Sequence, residues 1–467
     1  MNKWLKVKFE WPSLTKDNLA LVAKGYGTIT DGESGLEWNL PLECQGGVTE
    51  VVVRQSLFPL KGDSGEIHVR NLHDLEHFAA IRPEGGLHRL LRATDATAIT
   101  DSIDTRLGRF RNRLIQGKKV YIFAAHRNAA KCVHYCEGLG LEVVGFVDND
   151  KLKQGRKYRG RQILPLEAVD LNATIINASG RYCVEINEQL QRSGYGWCID
   201  LMELLFLYDL PFQAEGRFRK YVTDTLDSRL RIATLYLMLA DDFSRTVLDG
   251  LLHFRLTLDS AIAGKIASPY REEFFAEDLL SFAAGEVFVD GGAFDGDSYQ
   301  HFAQMAPEFA RAYLFEPDAA ISQRAEQRVA GDPRVSVCNF GLWSRTKELR
   351  FSSTGGMDSA ICDDGDIRIK VVAIDEFIHD KVTHIKLDVE GAEEEALLGG
   401  RLQIGNSRPK MAVALYHRAA DLWKIPALIE TLGGQYQYSI RHYSQTVDDS
   451  IVYAFPIALR DAPLVSG

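Results

Sequence analysis

The sequence predicts an α/β protein built on two Rossmann-like, doubly wound parallel sheets. Residues 117–200 show the first strand–helix–strand rhythm, with apolar runs at 119–124 and 141–147 and a helical stretch between them that ends at Gly140. Residues 285–467 repeat the rhythm from the apolar run at 287–289 onward. Buried strands that alternate with helices are typical of parallel sheets covered on both faces.

The chain has 467 residues, enough for two or three domains of ordinary size. Alternating polar and apolar residues with glycine turns predict a β-rich start, and the charged stretch at 86–116 reads as helical. The expected divisions are a β-rich N-terminal module at 1–85, a Rossmann-like domain of the nucleotide-binding type at 86–200, a helical connector at 201–284, and an α/β domain at 285–467.

Composition excludes several classes of protein. The formal net charge of −10 argues against broad binding to a phosphate backbone, so we expect no nucleic-acid partner. Seven cysteines in this length form neither a disulfide framework nor a zinc site, which favours a reduced, cytoplasmic setting. The N-terminus lacks the long apolar core of a signal peptide, and no apolar run is long enough to predict a membrane span.

The segment VFVDGGAFDGDS at 287–298 is the most informative stretch of the chain. An apolar strand stops at Asp290 and opens into a turn that contains Gly291, Gly292 and Gly296. Glycines there let the backbone turn tightly and approach a ligand closely. Glu316 ends the next strand about 20 residues later, where a carboxylate can accept both hydroxyls of a ribose. Together these features predict a nucleotide-type cofactor.

The turn after the first strand of residues 117–200 is Ala-Ala-His-Arg-Asn and contains no glycine. Through YIF…LGLEVVGFVDND and KYRGRQILPLEAV, the region resembles the N-terminal nucleotide-binding domain of bacterial sugar acyltransferases, whose first turn is glycine-rich. Two interpretations stay open: His126 and Arg127 bind a phosphate in place of glycine amides, or the domain is a degenerate, structural one.

The order of elements in residues 285–467 narrows the fold further. Five strands, at 287–289, 312–315, 335–338, 383–387 and 411–415, precede a terminal β pair at 437–441 and 450–455. A parallel nucleotide-binding sheet that closes with a late hairpin is the order of a class I methyltransferase. It is not the order expected of a hydride-transferring dehydrogenase.

Five blocks carry a family resemblance: DGGAFDGDS, FEPD, IKLDVEGAEEEALLG, ALYHRAADLW and RHY…VYAF. In this order, over about residues 285–456, they resemble an FkbM-type S-adenosylmethionine-dependent methyltransferase. The resemblance implies a class I fold, S-adenosyl-L-methionine as cofactor, and O-methylation of a sugar, glycan or secondary metabolite. The implied cofactor-binding residues are Asp290, Gly292, Phe294, Asp295, Gly296, Glu316, and Asn339 near the adenine.

The candidate catalytic residues are Asp388, Glu390 and His417, which follow the fourth and fifth strands. Carboxylates and an imidazole can take the proton that an attacking hydroxyl loses. The two acids could instead share a divalent cation, so the metal requirement stays unknown. Alternatively, Glu390 caps the following helix and His417 is a structural strand-end histidine.

Three side chains and one loop near these strand ends carry further expectations. We expect Tyr416 to point into the core, and His442 and Tyr443 to line the acceptor pocket. A glycine-flanked loop around Met357–Asp358–Ser359 either folds over the cofactor or is mobile surface.

The leading hypothesis is direct, in-line methyl transfer to a small-molecule or glycan acceptor, with residues 1–200 recognising the substrate or holding a homo-oligomer together. The alternative is a nucleotide-sugar-binding or NAD-dependent protein that works through residues 117–200. The glycine-free turn and the lack of a Tyr-x-x-x-Lys pair in that region argue against the alternative.

Overall fold

The computed structural model describes residues 4–10, 24–30, 37–43, 48–54, 67–68, 85–92, 96–212, 216–352, 360–361, 367–434 and 436–457. The first part contains the strands β1 Trp4–Glu10, β2 Lys24–Thr30, β3 Glu37–Glu43, β4 Val48–Arg54 and β5 Ile67–His68. They pair antiparallel, β1 with β4 and β2 with both β3 and β5.

The first α/β unit follows two helices, α1 Gly86–Arg92 and α2 Ala96–Gly117. Its elements are β6 Lys119–Phe123, α3 Arg127–Gly138, β7 Glu142–Val147, β8 Lys157–Tyr158, β9 Arg161–Leu164, β10 Thr174–Asn177, α4 Cys183–Arg192 and β11 Cys198–Asp200. The spatial order is β11-β10-β6-β7-β9-β8, and only β8 runs antiparallel to its neighbour. The carboxyl ends of β6, β7 and β10 therefore lie at one edge.

A largely helical segment joins the two units. It contains α5 Leu201–Tyr208, β12 Pro211–Phe212, β13 Gly216–Arg217, α6 Phe218–Asp227, α7 Arg229–Met238, α8 Asp242–Thr257 and α9 Ser260–Ile266. Hydrogen bonds from Ala240 and Ser268 to backbone carbonyls at Tyr438 and His442 attach this segment to the last strand pair. Buried side chains of both α/β units and of the connecting helices form one continuous hydrophobic core, which includes Ile122, Phe254 and Leu387.

The second α/β unit begins at β14 Val287–Gly291, whose five residues are all buried. The further elements are α10 Asp297–Met305, β15 Arg311–Phe315, α11 Ala319–Arg328, β16 Val335–Cys338, β17 Gly341–Leu342, β18 Lys347–Ser352, β19 Ala360–Ile361, β20 Ile367–Val372, α12 Ile374–Phe377, β21 His384–Leu387, α13 Glu393–Gly399, α14 Arg401–Ser407, β22 Lys410–Ala414, α15 Asp421–Gly433, β23 Tyr436–His442 and β24 Ser450–Pro456.

The main sheet of this unit has the order β16-β15-β14-β21-β22-β24-β23. The first five strands are parallel, and β24 and β23 are antiparallel to their neighbours. Gly291 pairs with Phe315 on one side and with Leu387 on the other, so the residues after these strands emerge side by side. The predicted α/β class with Rossmann-like sheets and a terminal β pair is confirmed.

Within the described part of the chain, no helix has the length and apolar character needed to cross a bilayer.

Candidate active site

The turn between β14 and α10 is packed tightly against the end of β21. Gly292 has a φ of 74°, and a Cβ added to it would lie 1.8 Å from the carbonyl oxygen of Asp388. A side chain has no room there, so the position requires glycine on both counts. Phe294 also has positive φ, at 47°, and Gly296, with φ 84°, is the N-cap of α10. The turn thus exposes bare backbone beside the end of β21.

Asp290 lies beneath this turn. Its side chain is fully buried, with one oxygen 3.1 Å from Nζ of Lys386 and the other accepting a 2.5 Å hydrogen bond from Ser298. Burial raises the pKa of Asp290, although the Lys386 ammonium acts in the opposite direction. Lys386 also donates to the carbonyl of Gly292, at 2.7 Å. Asp290 therefore supports the turn from below, and sequence reasoning missed Lys386, whose only signal is a cation inside a buried strand.

Glu316 connects the first two loops of the sheet edge. Its Oε1 accepts the N–H of Asp318 at 2.9 Å, and its Oε2 accepts the N–H of Phe294 at 3.2 Å. The side chain is 8% exposed, and burial raises the pKa of Glu316 to about 7. Each carboxylate oxygen has a further lone pair. Glu316 can therefore still accept hydrogen bonds from two hydroxyls.

Asn339 and Asp295 lie at the rim of the same edge. The Nδ2 of Asn339 donates to the carbonyls of Glu316 and Pro317, at 3.0 and 3.1 Å. Asp295 forms an ion pair with Arg328 on α11. The structure thus brings the predicted cofactor-binding residues onto three adjacent loops, with Asp290 below the surface that the others form.

Asp388 and Glu390 follow β21, and both carboxylates lie near the same ring nitrogen of His417. The Nε2 of His417 is 3.5 Å from Oδ1 of Asp388 and 3.4 Å from Oε2 of Glu390. Glu390 has a left-handed backbone with φ 53°, so its side chain does not follow the alternation of a strand. Burial raises the pKa of Glu390, and His417 partly offsets this effect. The helix-capping alternative for Glu390 is wrong, because Ala392 is the N-cap of α13 and no side chain caps it.

Glu393 contacts the other ring nitrogen of His417, Nδ1. Its Oε1 is 3.0 Å from Nδ1 of His417 and accepts the N–H of Val389 at 2.9 Å. Burial would lower the pKa of His417, but Glu393 and Glu390 together raise it well above its ordinary value. Burial likewise works to raise the pKa of Glu393, yet His417 brings it below the ordinary value. The two residues are therefore a buried ion pair; Glu393 lies within the quoted motif but was not singled out from sequence.

Asp388, Glu393 and His417 also form a group whose ligand atoms lie within 4.8 Å of one another. Carboxylate oxygens and imidazole nitrogens are metal ligands in many proteins. Here, however, Glu393 faces Nδ1 of the imidazole while Asp388 faces Nε2. The two carboxylates thus lie at different ring nitrogens, an arrangement that also suits an imidazole bearing a proton on each nitrogen.

The expectations about neighbouring side chains have different outcomes. Tyr416 is a buried member of the core, as expected, but its hydroxyl also donates a 2.8 Å hydrogen bond to Oδ1 of Asp388. His442 does not reach the acceptor pocket but is fully buried, with Nδ1 2.9 Å from the Ser450 hydroxyl. Tyr443 is likewise buried, against the hydroxyl of Tyr453. The loop at 357–359 lies outside the described residues.

In the first α/β unit, the glycine-free turn adopts a conformation that glycine usually supplies. Ala124 has a φ of 75°. Asp148, at the end of β7, accepts the N–H of Ala125 at 2.8 Å and lies 3.0 Å from Nζ of Lys153. His126 caps α3 by accepting the N–H of Asn128 on Nδ1, at 3.2 Å. The turn therefore has a left-handed residue without a glycine, and the side chain of His126 occupies a free amide in the first turn of α3.

A cavity of about 630 Å³ lies between the carboxyl edges of the two sheets. Asp388, Glu390, Tyr416 and His417 line it from the second unit, and the loops after β6, β7 and β10 line it from the first. Its volume falls within the range of small-molecule sites. The predicted catalytic residues therefore share one cavity with the unit at 117–200, in keeping with the expectation that residues 1–200 recognise the substrate.

Comparison with protein families gives a match for most of the second unit. Residues 290–440 match the family model of the methyltransferase FkbM domain. This part of the chain is an FkbM methyltransferase domain. The match spans all seven predicted cofactor-binding residues and the acids after β21, so it supports S-adenosylmethionine-dependent methyl transfer by this domain.

Among solved structures, the crystal structure of methyltransferase FkbM from Methylobacillus flagellatus KT matches with a TM-score of 0.58 and 24% identity. The alignment covers 77% of this chain and 100% of that chain, so the shared fold extends beyond residues 290–440. Precorrin-6y C5,15-methyltransferase from Geobacter metallireducens GS-15 matches with a TM-score of 0.26 and 10% identity, over 38% of this chain and 82% of that chain.

A comparison with curated proteins found no match. The resemblance of residues 117–200 to sugar acyltransferases stays a prediction, because the family match begins at residue 290.

Proposed function

We propose that this FkbM methyltransferase methylates a hydroxyl of a sugar, glycan or other small molecule bound in the cavity between the two sheets. The observation that supports this most directly is the contact between the glycine turn and the cavity wall. Gly292 approaches the backbone of Asp388, whose side chain lines the cavity. A cofactor held along the turn and an acceptor held in the cavity would therefore be neighbours.

The residues on the three loops fit the cofactor. Gly292 lets the turn pack directly against the backbone of Asp388, and Glu316 has lone pairs for ribose hydroxyls. When bound, S-adenosyl-L-methionine supplies a methyl group already activated on a sulfonium sulfur. The protein's own part is to align the acceptor hydroxyl and to remove its proton.

Glu390 is the general base in this proposal. The acceptor oxygen forms a bond to the methyl carbon as the carbon–sulfur bond breaks, and the hydroxyl proton passes to the Glu390 carboxylate. Burial raises the pKa of Glu390 toward the range that suits a base near neutrality. His417 already carries a proton, because its flanking acids raise its pKa, so it orients and balances Glu390 rather than accepting the proton.

Methyl transfer from labelled S-adenosylmethionine to a panel of hydroxylated sugars and glycans tests the proposal. Glu390→Gln should lower the rate by about 10²- to 10⁴-fold while leaving the affinity for S-adenosylhomocysteine unchanged. Glu394→Gln, at an exposed position on α13, is the matched control. A Glu390→Gln enzyme with the wild-type rate would eliminate Glu390 as the base.

Whether the reaction requires a divalent cation, which the sequence does not decide, is tested separately. Because a proton satisfies His417 and its acids, we expect the rate to change less than about twofold when a chelator is added. A loss of activity that magnesium or another divalent ion restores would assign a metal to this cluster instead.

A further inference from the structure

The two walls of the cavity differ in charge. Among the residues that the structure describes, the cations on the wall from the first unit are Arg127, Lys131, Lys153 and Arg181. The same wall also carries two carboxylates, Asp148, which is paired with Lys153, and Glu185. The other lining carboxylates are Glu273, Asp388, Glu390, Asp448 and Asp449, and the last two lie close to the arginines. A ligand that spans the cavity therefore meets positive charge at one end and acids at the other.

The basic wall is built from three different loops. Arg127 and Lys131 belong to the first two turns of α3, and Lys153 follows β7. Arg181 follows β10, and its guanidinium stacks over the ring of Tyr270. The N-terminus of α3 points the same way and adds partial positive charge. Side chains from three loops of one sheet edge thus converge on one region of the cavity.

The pKa of His126, which lines the same wall, reflects the positive potential of this region. Burial and the neighbouring Lys153, Arg127 and Arg181 lower its pKa, and Asp148 only partly offsets them. Cations that disfavour a proton on an imidazole favour an anion at the same place.

We propose that the acceptor bears a phosphate or diphosphate group, which the basic wall of the first unit binds while the hydroxyl to be methylated faces Glu390. The inference rests on the function proposed above and names the substrate class for that site. Asp388 and Glu390 would repel a phosphate, so the same cavity that binds the ligand also sets its direction. The unit at 117–200 thereby becomes the half of the active site that recognises the acceptor.

The acids nearest the cations do not block such a ligand. Burial, Asp448 and Asp388 raise the pKa of Asp449 to about 7, although Arg127 and Arg181 act against the shift. Asp449 is therefore readily neutralised near neutral pH, whereas a phosphate keeps its charge there. A phosphate can accordingly replace this carboxylate as the partner of the guanidinium groups, and with better geometry for arginine.

Isothermal titration with inorganic pyrophosphate, UDP and uridine, in saturating S-adenosylhomocysteine, tests the inference on the full chain. We expect pyrophosphate and UDP to bind and uridine not to bind. Similar affinities for pyrophosphate and UDP would assign a simple phosphate ester, and much tighter binding of UDP would assign a nucleoside diphosphate. Binding of uridine as tight as that of UDP would overturn the phosphate assignment, as would no binding of pyrophosphate and UDP.

Charge-removing variants locate the binding. The double variant Arg127→Gln/Arg181→Gln should weaken pyrophosphate binding at least tenfold and leave S-adenosylhomocysteine affinity unchanged. Arg156→Gln is the matched control, since Arg156 belongs to the same unit but is exposed away from the cavity lining. Unchanged pyrophosphate affinity in the double variant would contradict the proposal.

Salt dependence supplies a measurement on the unaltered protein. Pyrophosphate affinity should fall at least tenfold between 50 and 500 mM salt, which are about the ionic strengths over which screening becomes strong. A salt-independent affinity would contradict binding by these cations. If the protein fails to bind S-adenosylhomocysteine, the proposed function fails; if that ligand binds and pyrophosphate does not, only the phosphate inference fails.

Discussion

At the scale of single residues, Gly292 is constrained both by its backbone conformation and by its neighbour. Gly292→Ala places a Cβ against the carbonyl of Asp388, so we expect it to destabilise the fold and to weaken S-adenosylhomocysteine binding. Gly285→Ala is the control, because Gly285 has a similar φ of 81° with nothing within 4 Å of the added Cβ.

Backbone strain alone should make Gly285→Ala less stable by about 1 to 2 kcal/mol, with unchanged affinity. Thermal unfolding measures the stability of the two variants, and calorimetric titration measures their affinity for S-adenosylhomocysteine. Comparing the two variants separates the effect of backbone strain from the effect of the contact with Asp388. Equal effects on affinity would show that the contact between Gly292 and Asp388 does not matter for the cofactor.

Glu316 gives a prediction with a definite direction in pH. Its carboxylate accepts ribose hydroxyls best when ionised, and burial raises its pKa to about 7. Affinity for S-adenosylhomocysteine should therefore fall below pH 7, approaching roughly tenfold per pH unit. Glu316→Ala should weaken binding at every pH, whereas Asp148→Ala, in the other unit, should not. Equal losses from both variants would contradict the assignment of the cofactor to the second unit.

Residues whose role depends on their own backbone were the easiest to predict from sequence. The turn glycines and Glu316 lie where the motif predicted, because a strand end and a tight turn are local features. Lys386 and Glu393 were missed since their importance comes from partners that packing brings to them, Asp290 and His417. A buried ion pair of this kind leaves little trace in the order of residues.

At the scale of elements, the ion pair of Glu393 and His417 joins α13 to the segment after β22. Glu393→Gln should lower the free energy of unfolding by about 3 kcal/mol, because it leaves a buried imidazolium without its partner. Glu394→Gln, at an exposed position of the same helix, should have little effect. Chemical denaturation of both variants and the wild type measures the difference.

The pH dependence of this effect follows from the two pKa shifts. The raised pKa of His417 contributes stability fully below about pH 6.5, and the contribution is lost as pH rises through its folded-state pKa. The lowered pKa of Glu393 contributes above about pH 4.5. The stability difference between wild type and Glu393→Gln should thus be largest near pH 5 to 6. A difference that instead grows toward alkaline pH would show that His417 is neutral.

Side-chain directions near strand ends were the least predictable part of the elements. Alternation holds only within a strand, and β22 ends at Ala414, two residues before Tyr416. Beyond that point the chain leaves the sheet, and both Tyr416 and His417 contact the acids after β21. His442 is the last residue of β23 and remains within the packed sheet.

At the scale of the whole molecule, Gln445 links the two units. Its Oε1 accepts the N–H of Val184 at 2.7 Å, and its Nε2 donates to Glu185 at 3.1 Å. Gln445→Ala should reduce stability by about 1 to 3 kcal/mol, as expected for two hydrogen bonds. It should also speed amide hydrogen exchange in the loop at 443–449. Gln437→Ala, at an exposed position on β23, is the control, and equal exchange rates in both variants would rule out a role for the link.

The presence of two sheets could be predicted from the repeated rhythm, but their mutual position could not. Gln445 contacts Val184, and Arg181 stacks on Tyr270, each across a long stretch of chain, and no local pattern encodes such contacts. The sequence therefore left open whether residues 1–200 recognise the substrate, and only the structure places the basic residues and the acids around one cavity.

The continuous hydrophobic core through both units and the connecting helices bears on how the protein comes apart. Units that share a core lose their packing together, so their unfolding is cooperative. Differential scanning calorimetry of the protein should show one unfolding transition for these units, with equal calorimetric and van't Hoff enthalpies. Two resolved peaks would mean that the units unfold independently. Cooperative melting also implies that a ligand bound only to the basic wall protects the methyltransferase sheet against heat.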